Sequence, residues 1–105
     1  MTNLKVAPSS KNAEESVLGC ILLDGVSIYE KVAAWIRDED AFYYKDNQTV
    51  WKAIKEIYKS GEPIDVITVT NKVKDTSPDE TMGYFITGLP MEVATTANAE
   101  YHAKI

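Results

Sequence analysis

Residues 61–73 read GEPIDVITVTNKV, and the fold turns on whether this stretch is a strand or a helix. Ile64, Val66, Ile67, Thr68, Val69 and Thr70 are all β-branched. Such side chains are stiff at χ1 and favour the pleated surface of a strand. Strict alternation, however, would put Ile64, Val66, Thr68 and Thr70 on one face and Asp65, Ile67, Val69 and Asn71 on the other, so neither face is apolar. A helical period groups Val66, Val69 and Val73, sets Ile67 beside them, and sends Thr68, Lys72 and Asp75 outward. Pro63 followed by Asp65 supplies a turn and an N-cap whose carboxylate can accept hydrogen bonds from the first free amides. Strand propensity of about 1 to 2 kcal/mol over the stretch is small enough for burial of that stripe to override. The spacing therefore predicts a helix that starts after Asp65.

The flanking sequence supports the same architecture. A helix is predicted from about Asp46, with Val50, Trp51, Ile54, Ile57 and Tyr58 inward, Lys52, Lys55, Glu56 and Lys59 outward, and a stop at Ser60-Gly61. Further upstream, Asn12 ahead of Ala13-Glu14-Glu15 reads as a cap, and Val17, Leu18, Ile21 and Leu22 form one stripe that ends at Gly25. Ser27 with Glu30 reads as a second capping box, and Ile28, Val32, Trp35 and Ile36 share the face of a second helix. Asp38-Glu39-Asp40 opens a turn that delivers Phe42 and Tyr43.

Downstream, Ser77-Pro78-Asp79-Glu80 combines a cap, an N1 proline and a capping-box Glu. Met82, Phe85, Ile86 and Leu89 line the helix that follows, up to Gly88 and Pro90. Thr95 or Thr96 can cap a sixth helix through Ile105. The expected fold class is all-α, a compact bundle of about six short helices: residues 1–12 are a flexible N-terminal tail and residues 13–105 a helical head domain.

Composition narrows the function classes. The chain has 105 residues, 45% hydrophobic and 26% charged, which suits one globular domain with one core. Its net charge of −5 argues against a domain that grips nucleic acid, since phosphate binding needs clustered Lys and Arg; a protein partner is expected instead. The longest apolar run, Val17 to Leu23, is too short to span a membrane, and the start MTNLKVAPSSKN has no apolar signal segment. Cys20 is the only cysteine, which points to a reducing, cytoplasmic setting. No Gly-x-x-x-x-Gly-Lys-Ser/Thr loop cradles phosphates, and His102, the only histidine, lies far from Cys20 in sequence, so no metal-ligand spacing forms. No catalytic, cofactor-binding or metal-binding residue is assigned. Tyr43, Tyr44, Trp51, Tyr58 and Tyr84 could in principle stack on bases, but packing is the reading that suits so acidic a chain.

AEESVLGCILLD, then FYYKDNQTVWKAIKEIYKSGEPIDVITV, then GYF and TTANAEYHAKI, resemble the N-terminal domain of DnaB-type replicative DNA helicases of bacteria and their phages. The resemblance runs from Ala13 to Ile105, and its most specific element is the helix followed by Gly-x-Pro-Ile-Asp-x-x-Thr. The sequence departs from the family at Asn47, where a His is common, at Ala41, which looks inserted, at Cys20, which replaces a small residue, and in a shortened segment from Lys74 to Met82. These departures suggest a divergent, phage-encoded member.

The resemblance implies a non-catalytic head in the collar of a hexamer, active in pairing with other helicase subunits and in receiving primase and a helicase loader. ATP and Mg would belong to a motor domain outside this chain, and the family's helical hairpin would begin just after Ile105. The stop at Ile105, inside a helical pattern, is expected to cut a longer protein. Carried over residue by residue, the family pattern makes Asp65, Tyr84, Asn98 and Tyr101 the candidate partner-binding residues. A free-standing helical adaptor or helicase-loader module is the rival reading, although it would not need the Pro-Ile-Asp and Thr-Ala-Asn signatures. A helix-turn-helix DNA binder would need a basic recognition helix, and none of the six qualifies.

Overall fold

The computed structural model describes residues 11–36, 41–76 and 81–92. Five α-helices fill them: α1 (Lys11–Asp24), α2 (Val26–Ala33), α3 (Lys45–Ser60), α4 (Val66–Thr76) and α5 (Thr81–Gly88), followed by a 3-10 turn at Pro90–Glu92. No strand occurs among the described residues, so the all-α class holds. Of the predicted tail at residues 1–12, Lys11 and Asn12 belong to α1 and residues 1–10 lie outside the described residues, as do the Asp38-Glu39-Asp40 turn, the Ser77-Pro78-Asp79-Glu80 start signal and the sixth helix.

α1 is the centre of the packing. Val17, Leu18, Cys20, Ile21 and Leu22 are all buried, a wider apolar surface than the single predicted stripe. A helix buried on most of its circumference must be covered from several sides. Here α2, α3 and the 3-10 turn cover it. Each fully buried Leu or Ile contributes on the order of 1.5 to 3 kcal/mol relative to exposure. Asn12 lies inside α1 and not ahead of it. Gly25 closes the helix as expected: at φ 77° its N–H donates to the Ile21 carbonyl at 2.6 Å.

Gly25 is also the N-cap of α2, and no side chain caps that helix. The predicted Ser27–Glu30 capping box is therefore not formed: Ser27 is the second residue of α2, and Glu30 instead accepts a hydrogen bond from the Tyr58 hydroxyl at 2.7 Å. Ile28, Val32 and Ile36 are buried as predicted. Trp35, two residues beyond the end of α2 at Ala33, is not, being 50% exposed.

α3 runs one residue earlier than predicted and ends where expected, at Gly61 in the left-handed region with φ 81°. Its inward face, Val50, Trp51, Ile54 and Ile57, is buried. Tyr58 sits at the edge of that face: its ring packs on Tyr29 at 4.6 Å while its hydroxyl reaches Glu30. The Trp51 ring lies 5.2 Å from Tyr29 and 5.5 Å from Phe42, so α3 joins α2 and the segment before it through aromatic contacts.

The stretch at residues 61–73 is helical from Val66, as the spacing predicts. Val69 and Val73 are buried, Val66 packs against the core, and Ile64 just before the cap is buried too. Ile64 and Val69, immediately before the cap and four residues beyond it, have the spacing of a hydrophobic staple, the device that fixes the entry angle of a chain. Two details differ from the sequence reading. Ile67 is 72% exposed and not part of the stripe, and Thr68 is half-buried and folded back onto the cap. In α5, Met82 and Ile86 are buried, as is Leu89 just beyond it, and Phe85 packs against the core.

Candidate interaction surface

The first predicted site residue, Asp65, is bound up in a local cap. Its Oδ1 accepts the Thr68 N–H at 2.9 Å, and the Asp65 N–H donates to Thr68 Oγ1 at 3.0 Å. The Thr68 hydroxyl donates in turn to the Asp65 carbonyl at 3.1 Å. This is a reciprocal capping box with Thr in place of the usual Glu, and the negative charge also sits at the positive end of the α4 dipole. Asp65 is half-buried, and the carboxylate oxygen that takes part in the cap is Oδ1.

Tyr84 is on α5, which packs against α4. Its neighbour Gly83 lies against α4: a methyl group at its Cα would rest 3.9 Å from the Thr70 side chain. Tyr84 itself is 85% exposed. The structure therefore places Asp65 at the start of α4 and Tyr84 on the adjoining helix, with exposed Ile67 two residues beyond the cap. Asn98 and Tyr101 lie outside the described residues.

Ile67 was legible in principle. At about 100° per residue it stands roughly 130° from the mean direction of Val66, Val69 and Val73, well outside their stripe.

A second polar feature holds the frame and had no local signal. Tyr44 is the N-cap of α3 but supplies no side-chain hydrogen bond. Glu14, on α1, does so from 30 residues away: its carboxylate accepts the Tyr43 N–H at 2.8 Å, the Tyr44 N–H at 3.5 Å and the Asn47 Nδ2 amide at 2.9 Å. Asn47 is fully buried, and Gln48 Nε2 adds a bond to the Phe42 carbonyl at 2.7 Å that fixes the approach to α3. Glu15, next to Glu14, is buried and pairs with Lys11 at 3.1 Å.

Burial, and secondarily the nearby Asp24 carboxylate, push the Cys20 thiol upward, which keeps it protonated and a poor nucleophile. Among the described residues no group of three or more His, Cys, Asp or Glu side chains is placed to hold a metal ion. Trp51 is fully buried and cannot stack on a base, whereas Tyr43 is 79% exposed. Of the Lys52-Lys55-Lys59 row, Lys52 and Lys59 are exposed and Lys55 is half-buried. No helix among the described residues is long and apolar enough to cross a membrane.

Comparison with known proteins gives a consistent picture. A family model described as the DnaB-like helicase N terminal domain matches residues 6–105. The replicative DNA helicase DnaC of Bacillus subtilis is 33% identical over 107 residues, an alignment that takes in 100% of this chain and 23% of that protein. The replicative DNA helicase DnaB of Geobacillus stearothermophilus is 32% identical, over 96% of this chain and 22% of its own length. The crystal structure of the N-terminal domain of DnaB helicase from Mycobacterium tuberculosis superposes with a TM-score of 0.81 at 33% identity, covering 89% of this chain and 65% of that one. The chain thus spans less than a quarter of the length of these two curated relatives.

Proposed function

The chain belongs to the family of DnaB-like helicase N-terminal domains, and from that membership we propose that it is the non-catalytic collar domain of a hexameric replicative DNA helicase. In this reading it serves DNA replication in the cytoplasm of a bacterium or a phage-infected host, pairs with other helicase subunits, and contacts primase and a helicase loader. ATP and Mg act in the motor domain of the parent protein, and the acidic head does not bind nucleic acid strongly.

Family membership carries the collar assignment; the partner face proposed within it uses two exposed side chains, Ile67 and Tyr84, on helices that pack against each other. Exposed aromatic side chains are the usual anchors of protein interfaces, since one ring buries a large area at a small cost in rotamer freedom. Asp65, two residues before Ile67, holds the start of α4 through its Oδ1. Asn98 and Tyr101 belong to the same proposal through the family pattern.

Calorimetric titration of primase into the purified chain tests this. Tyr84→Ala and Ile67→Asp are expected to weaken binding about tenfold or more, equivalent to ~1.4 kcal/mol or above, with melting curves unchanged. Wild-type affinity in both variants would remove α4 and α5 from the partner face. The same preparation is expected to hydrolyse no ATP, and turnover that survives repurification would overturn the non-catalytic assignment.

A further inference from the structure

We draw no further inference here: the strongest candidate, the exposed apolar edge of α4 and α5 marked by Ile67 and Tyr84, belongs to the partner surface already proposed, and nothing in the structure shows what covers it.

Discussion

α3 and α4 are consecutive helices packed on each other, yet their N-termini are held in opposite ways. α4 is capped from within three residues, by the exchange of hydrogen bonds between Asp65 and Thr68. α3 has no cap of its own and borrows the Glu14 carboxylate from α1. Free amides at a helix start need acceptors, but nothing requires those acceptors to be near in sequence. The consequence is a difference in when each start can form. The α4 cap is complete once residues 65–68 take their local shape. The α3 start is complete only after α1 has docked, so its stability reports on tertiary structure.

The sharpest way to break this comparison is to remove the borrowed cap. Glu14→Ala leaves the Tyr43 and Tyr44 amides without their acceptor, and it strands the Nδ2 of Asn47, a residue with no exposure to water. Leaving a buried donor unpaired costs about 1 to 3 kcal/mol, with charge-assisted bonds at the upper end. We expect a loss of about 2 to 3 kcal/mol by urea denaturation, and a smaller loss for Glu14→Gln, which keeps a neutral acceptor. If Glu14→Ala unfolds at the wild-type urea concentration, the long-range cap contributes nothing and α3 is held by its apolar face alone.

The two caps also mark what the sequence could reveal. Asp65 was legible because a turn proline, a cap residue and an apolar stripe stand at fixed local offsets, and each is decided by chemistry within a few residues. The same holds for Gly25 and Gly61, whose positive φ suits a residue without Cβ. Glu14 was not legible, because its partners are set by how α1 and α3 cross, and a capping glutamate looks the same as any other acid in a first turn. Ser27–Glu30 erred in the other direction. Its spacing fits a capping box, but the positive-φ Gly25 starts α2 before Ser27, and Glu30 is drawn to Tyr58 on α3. Of the predicted site residues only Asp65 and Tyr84 fall within the described structure, and the exposure of Tyr84 follows from its position between Met82 and Ile86, both buried. The family pattern nominated these residues, but local periodicity alone would not have distinguished a partner-facing tyrosine from a solvated one.

A smaller effect is expected at the local cap. Asp65→Ala should cost about 1 kcal/mol, the usual contribution of an N-cap carboxylate. Because Asp65 and Thr68 exchange hydrogen bonds, Asp65→Ala combined with Thr68→Val should cost less than the sum of the two single losses. Asp65→Ala combined with Glu14→Ala, by contrast, should be additive within about 0.5 kcal/mol, since the two caps share no partner. Strict additivity within the Asp65–Thr68 pair would mean that the capping box is geometry without energetic coupling. A melting curve for Asp65→Ala identical to wild type would remove the local support for the start of α4.

The smallest effect is expected where a carboxylate also reaches across the chain but in contact with water. Tyr58 and Glu30 are 28 residues apart, comparable to the span bridged by Glu14, and their bond is just as short at 2.7 Å. If sequence separation gave such bonds their strength, Tyr58→Phe would rival Glu14→Ala. Exposure decides otherwise, because water competes for both partners of the Tyr58–Glu30 bond and the Phe ring keeps the packing on Tyr29. We therefore expect Tyr58→Phe to be milder than Asp65→Ala at neutral pH. Alkali provides the check that isolates the bond. The bond to Glu30, then partial burial and the charge of that carboxylate, raise the Tyr58 hydroxyl above the ordinary tyrosine value of about 10. A group with a raised folded value stabilises the fold fully below its unfolded value and stops doing so as pH rises through the folded one. Burial raises Tyr29 in the same sense, against a lowering influence from Lys55, so wild type and variant should both lose stability above pH ~10. The wild type should lose more, and the gap between the two melting temperatures should narrow as pH rises above ~10. A gap that stays constant over that range would show that the Tyr58 hydroxyl titrates alike in folded and unfolded chains, and that the bond to Glu30 carries no stability at all.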